Sequence, residues 1–151
     1  MSVAAPTSGT FEGDEHVLPV RVYYEDTDFT GVVYHASYLR FFERGRTEFL
    51  RAIGIEHGAL LERPDPCAFT VTKISVEFRR AGRVDDALQV RTRYRAFKGV
   101  RLQIEQRLAR GADVLAEAEV EVVCITPDGR ARRPPAELTL AIRSHLGGET
   151  S

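Results

Sequence analysis

The chain is short of several things, and each shortage removes a class of protein. Among its 151 residues only Cys67 and Cys124 are cysteines. They are too few and too far apart for a disulfide framework or a zinc site, which takes about four clustered ligands. Both read as reduced, packed thiols. Lysine is confined to Lys73 and Lys98, so almost all positive charge is guanidinium, which holds carboxylates and phosphates with a rigid fork. Basic and acidic side chains number 21 and 22, a net charge of −1, and no overall positive field awaits a nucleic-acid backbone. Nucleic acid is therefore not an expected partner. No apolar run approaches the roughly 18 residues of a transmembrane segment, and residues 1–16 lack the basic and apolar blocks of a secretory signal. A cytoplasmic protein is the expectation.

Low-complexity linkers and internal repeats are absent too. Pro64, Pro66, Pro127, Pro134 and Pro135 fall in connections, not in periodic segments. Residues 1–16 and 147–151 mix small, polar and acidic residues without apolar periodicity and read as flexible tails. Residues 17–146 are left as one domain, and a chain of this length buries about two-thirds of its unfolded surface.

Within that domain the hydrophobic period changes twice. Val17 to Tyr24 reads as a strand, followed by the polar stretch Glu25 to Gly31. From about Ala36 a period of 3.6 takes over: Tyr38, Phe41, Phe42, Gly45, Phe49, Ala52 and Ile53 share one arc, opposite Arg40, Arg44, Thr47 and Arg51. The spacing predicts an amphipathic helix ending near Gly54. Thereafter the period is two. Ile74, Val76 and Phe78, then Leu88, Val90, Thr92 and Tyr94, then Val100, Leu102, Ile104 and Leu108, then Val114, Ala116, Ala118, Val120 and Val122 each alternate with polar partners. Strands with one wet face form antiparallel sheets, and the joins Ala81–Asp86, Phe97–Gly99 and Arg110–Asp113 suit hairpins or tight connections. The expectation is an α+β domain, an antiparallel five-stranded sheet wrapped around one long central helix, with a short helix near Pro135 to His145.

The chemistry concentrates between the first strand and the helix. Residues Tyr23 to His35 bring Glu25, Asp26, Asp28, Gly31 and His35 into one loop. A helix N-terminus follows at once, and its unpaired N–H groups stabilise developing negative charge. A carboxylate facing such a terminus can be nucleophile or general base. The same acids can equally be caps or dipole partners. A divalent cation on Asp26 and Asp28 is disfavoured, since further spaced ligands and a phosphate loop are missing. Glu43 and Arg46, one turn apart at the edge of the apolar arc, read as a structural pair more than as a substrate contact. His57 reads as a loop residue, and neither cysteine has the neighbours of a thiol nucleophile.

Val22-Tyr23-Tyr24-Glu25-Asp26-Thr27-Asp28, Gly31-Val32-Val33-Tyr34-His35, Tyr38-Leu39 and Phe42-Glu43-Arg44-Gly45-Arg46-Thr47-Glu48 closely resemble the YbgC and 4-hydroxybenzoyl-CoA thioesterase family. The likeness extends more loosely over Phe78 to Asp86 and Ala116 to Val120. The resemblance implies a hotdog fold and an acyl-CoA thioesterase that uses neither metal nor cofactor. It makes Asp28, in its D-x-x-G loop with Gly31, the catalytic carboxylate. It puts the carbonyl-polarising N–H on His35 and adds Tyr24 and the His35 side chain to the site. Phe29-Thr30 stands where many relatives carry smaller residues. Relatives often carry basic residues near the turn that corresponds to Phe97–Gly99, so the resemblance implies that Arg95, Lys98 and Arg101 meet the phosphates of coenzyme A, with an ordinary solvated hairpin as the equal alternative. The resemblance further implies a homo-oligomer, dimer or homotetramer, with active sites between subunits. The alternative is a non-hydrolytic hotdog protein that binds acyl-carrier protein or a membrane-linked assembly.

Overall fold

A computed structural model describes residues 3–146. The elements in chain order are β1 (Thr10–Glu12), β2 (Glu15–Arg21), α1 (Ser37–Ala52), α2 (His57–Leu61), β3 (Ala68–Phe78), β4 (Ala87–Lys98), β5 (Arg101–Arg110), β6 (Asp113–Ile125) and α3 (Ala136–Arg143). A single 3-10 turn, Tyr24–Asp26, follows β2. The strands form one antiparallel sheet in the order β1-β2-β4-β5-β6-β3. Among the described residues no helix is long and apolar enough to cross a membrane.

The long helix forms where the 3.6 period places it and stops for a local reason. Gly54 adopts φ +89°, which a side chain would disfavour, and its N–H reaches Arg51 O while the Ile55 N–H reaches Leu50 O. These two bonds satisfy the last carbonyls in a Schellman closure. Tyr38, Phe41, Phe42 and Phe49 are buried against the sheet, and Phe49 stacks on Tyr94 at 4.2 Å. Each such burial contributes about 1.5–3 kcal/mol. Gly45 is the point of closest approach: a Cβ there would lie 2.5 Å from Val90 Cγ1. Its lack of a side chain sets how deeply α1 sinks into the sheet.

Two expectations need correction. Among the described residues the sheet has six strands rather than five, because it begins at Thr10, inside the stretch 1–16 that composition marks as a tail. β1 is three residues long and cannot show an alternation; it is held by pairing with β2 and by Phe11, whose ring packs edge-on against His16 and Phe49. His16 is wholly buried, its Nε2 donating to Ser8 O at 2.7 Å, and burial pushes its pKa down. Residues 147–151, the other expected tail, lie outside the described residues. Secondly, of the two forms expected for Ala81–Asp86, a hairpin or a tight connection, the hairpin is excluded. β3 pairs with β6 and β4 with β2 and β5, so this connection crosses the end of the sheet, where Arg79 and Arg80 both donate to Leu115 O. Alternation reports which face is wet and says nothing about which strand is the neighbour. The crossing leaves β3 as an edge strand of 11 residues, with Val71 42% and Phe78 51% exposed.

Candidate active site

The loop between β2 and α1 is a small hairpin of its own. Thr27 pairs with Val33, Asp28 N–H donates to Val32 O at 2.9 Å, and Gly31 at φ +81° turns the chain at its tip. The 82–84 segment clamps it: Val33 N–H donates to Gly82 O at 2.8 Å, Val84 N–H to Gly31 O at 3.0 Å, and Gly82 N–H to the Tyr38 hydroxyl at 3.1 Å. The loop is thereby fixed to both the start of α1 and the approach to β4.

This architecture separates the acids. Asp26 is buried and its Oδ2 accepts from Tyr23 N–H at 2.8 Å, so it caps the 3-10 turn. Asp28 is half-exposed. Its Oδ1 accepts from the Thr30 hydroxyl at 2.6 Å and the Thr30 N–H at 2.8 Å, and Oδ2 has no protein partner among the described residues. The Thr30 hydroxyl, with the Thr30 and Val32 amides behind it, holds the Asp28 carboxyl below the usual carboxylate range. Asp28 is therefore an ionised group with one oxygen fixed and one free.

His35 lies at the root of the loop, two residues before α1. Ser37 N–H donates to Tyr34 O at 2.8 Å, whereas the His35 and Ala36 N–H groups have no acceptor among the described residues. These are the orphan donors that a helix start offers. The His35 ring lies 4.5 Å from Tyr34 and 6.4 Å from Phe78, centroid to centroid, over a shallow depression lined by Val33, His35, Tyr38, Phe78 and Arg80. No hydrogen bond joins Asp28 to His35 or to Tyr24 among the described residues, and Tyr24 is 79% exposed. Phe29, at 97%, projects from the loop tip.

Arg95, Lys98 and Arg101 are not near this loop within one chain. They flank the β4–β5 hairpin, while the loop is clamped just ahead of the opposite end of β4. A strand of 12 residues separates the two, about 40 Å at roughly 3.3 Å per residue. Arg95 pairs with Glu105 at 3.8 Å and Arg101 with Glu121 at 3.5 Å; Lys98 has no ion pair among the described residues. Glu43 and Arg46 do not pair with each other. Arg46 Nη1 donates to Gln106 Oε1 at 3.0 Å and Glu43 accepts from the Thr47 hydroxyl at 2.7 Å.

Sequence reasoning missed Thr30 as the partner of Asp28. A hydroxyl two residues after an aspartate is the local signal for such a turn. Phe78 and Arg80, which complete the depression beneath His35, come from a distant strand end and carry no local signal.

A sheet curled around one buried helix, with an acid loop at that helix's N-terminus, is the hotdog architecture of thioesterases. A family model described as the thioesterase-like superfamily matches residues 22–142. The acyl-CoA thioesterase YbgC of Haemophilus influenzae is 48% identical over 108 residues, covering 72% of this chain and 79% of that protein. The acyl-CoA thioester hydrolase YbgC of Escherichia coli is 47% identical over 110 residues, covering 72% and 81%. The crystal structure of a probable thioesterase from Bartonella henselae superposes with a TM-score of 0.78 at 41% identity, covering 80% of this chain and 99% of that one. The chain belongs to the YbgC family within the thioesterase-like superfamily.

Proposed function

We propose that the chain hydrolyses acyl-CoA thioesters to free acid and coenzyme A, with Asp28 as nucleophile or general base and the His35 N–H at the helix start holding the carbonyl oxygen. The observation that carries this is the Asp28 carboxylate, ionised and with one oxygen free among the described residues, in a loop tied to a helix terminus whose first donors are unpaired among the same residues. The activities named for the Haemophilus and Escherichia relatives agree with it. Tyr24 and the His35 side chain complete the proposed catalytic set. A panel of acyl-CoA thioesters with a thiol reporter tests the reading: coenzyme A release is expected from at least one member. Intact capture of an acyl-carrier protein with no release from any thioester would replace hydrolysis by the binding role.

The second part of the proposal is assembly. β3 presents an edge that is unpaired among the described residues, with Val71 and Phe78 exposed along it, and two copies joined antiparallel edge to edge would close it. Such pairing sets the start of one β3 beside the end of the other. It carries the partner subunit's β4–β5 hairpin toward the acid loop and reconciles the separation of about 40 Å within one chain with a shared site. Light scattering is expected to report a dimer or a tetramer built from it. A monodisperse, active monomer at micromolar concentration would contradict the assignment.

In that assembly the partner subunit's Lys98, which has no intrachain ion pair among the described residues, meets the phosphates of coenzyme A with Arg95 and Arg101 beside it. Lys98→Ala is then expected to raise KM for acyl-CoA, leave kcat nearly unchanged and weaken the salt dependence of kcat/KM, because only uniform binding is lost. An unaltered KM and salt slope would remove the hairpin from the site.

A further inference from the structure

A cavity of about 120 Å³ lies between α1 and the first half of β3. Leu50, Phe69, Leu102 and Val122 give it apolar walls, and His57 closes one side against Phe69. Glu43 and Arg46 also face it, and they are an unusual pair. Among the described residues Arg46, half-buried, is hydrogen-bonded through its guanidinium only to the neutral amide of Gln106, and Glu43, which is exposed, only to the Thr47 hydroxyl. The ion pairs of α1 among the described residues are those of Arg51 with Glu48 and Glu56. One small cavity with largely apolar walls thus meets a cationic donor and, on an exposed residue, an anionic acceptor that do not satisfy one another.

The cavity is aligned with the acid loop. Tyr38, at the start of α1, packs on Phe78 at 5.3 Å, so the helix start lies beside the end of β3 and the cavity beside its beginning. Glu43 and Arg46 follow His35 by eight and eleven residues, about 12 and 16 Å along the helix axis, but Arg46 reaches back to the Gln106 amide that also bonds Phe42 O, so both polar ends lie about 10–12 Å from the His35 N–H. On β3, Ile74 and Val76, packed against the core and half-buried, lie between the two places. An acyl group whose carbonyl sits at the His35 N–H would run along this strip and end in the cavity.

We propose that the cavity receives the far end of the acyl group and selects one that carries a hydroxyl about 10 Å from the thioester carbon, the hydroxyl accepting from Arg46 and donating to Glu43. The proposal rests on the thioesterase reading of Asp28. A hydroxyl is the smallest group with both a donor and an acceptor. A terminal methyl would cover the half-buried Arg46 guanidinium and offer the exposed Glu43 carboxylate no donor, and a terminal carboxylate would meet Arg46 only by also meeting Glu43. Sites built to bond a hydroxyl reject the analogue that lacks it.

The test compares three thioesters of coenzyme A on an eight-carbon chain, about 10 Å long when extended, ending in a hydroxyl, a methyl or a carboxylate. The wild-type chain is expected to favour the hydroxyl by about tenfold or more in kcat/KM over either other end. Glu43→Ala, which leaves the Arg46–Gln106 bond in place, should erase most of that preference and improve the carboxylate relative to the hydroxyl. Arg46→Met should also erase it, and thermal unfolding measured alongside separates that result from loss of fold. Equal kcat/KM for hydroxyl and methyl ends in the wild type, or a preference untouched by Glu43→Ala, overturns the cavity's role while hydrolysis itself stands. Cleavage of none of the three would overturn the reading of Asp28 for this acyl class. The cavity is then judged by protection of the wild type against heating with the two free acids: stronger protection by the hydroxy acid supports the assignment and equal protection overturns it.

Discussion

Asp28→Asn is expected to lower kcat for acyl-CoA hydrolysis by at least about 100-fold, the lower range for losing a general base, with fold and assembly size unchanged. Asparagine keeps the size of the side chain and an oxygen that can accept from the Thr30 N–H and hydroxyl, so the loop's Asx turn survives. What disappears is the charge and, with it, both nucleophilic and basic capacity. The loop is clamped by 82–84 through bonds that do not involve the Asp28 side chain, so the variant should unfold at the wild-type temperature. Turnover near the wild-type rate would reduce the loop to a cap. A single turnover of the wild type in heavy-oxygen water separates the two chemical roles. Label in the Asp28 carboxylate requires an acyl-enzyme anhydride, whereas label only in the product acid fits either route. The pH profile carries an independent sign. Because the Thr30 hydroxyl and amide hold the Asp28 carboxyl low, the ionised form persists on acidification, and the acid limb of kcat/KM should lie below the ordinary carboxylate range. Thr30→Val removes the hydroxyl's contribution and should shift that limb upward.

The parts of this molecule that were legible in the sequence are those whose signal is local. The aromatic arc of α1 and the alternation of β4, β5 and β6 appear where period and parity put them, because one face of each must leave water. Asp28, Gly31 and His35 stood out because a loop rich in acids directly before a helix is itself a chemical statement. Non-local features were silent. β1 exists through Phe11 meeting His16 and Phe49, and no property of Thr10–Glu12 alone foretells that. Glu15, read as tail, is buried beneath Arg91 and Arg107, accepting from them at 2.8 and 2.9 Å. The crossing from β3 to β4 depends on which strands neighbour one another, which parity leaves free. The alternation of β5 also steps over Gln106, whose side chain points inward with Leu102, Ile104 and Leu108 and is as buried as they are. A polar residue on a core parity looks like a defect until its partners are seen.

Those partners make Gln106 the position where a small change should cost the most stability. Its Nε2 donates to Phe42 O at 2.8 Å and to Thr92 Oγ1 at 3.0 Å, while its Oε1 accepts from Arg46 at 3.0 Å. One amide thus joins α1 at two places to the strands beneath it. It fits there because Gly45 has no side chain: a Cβ would lie 3.0 Å from Nε2. Gln106→Leu has nearly the same volume, so cavity formation contributes little and the cost is that of stranding a buried hydroxyl, a carbonyl and a guanidinium N–H. We expect about 2–3 kcal/mol, or a fall in Tm of about 5–10 °C for a domain of this size. The double variant with Thr92→Val should be less destabilised than the two single losses added together, because the second substitution removes a group that the first had left unpaired. Urea unfolding of the four proteins measures this coupling directly. If Gln106→Leu matches or exceeds the wild type in stability, the amide is not what seats α1 on the sheet. The depth of the helix, and with it the position of its N-terminus behind Asp28, would then rest on the contact at Gly45 alone.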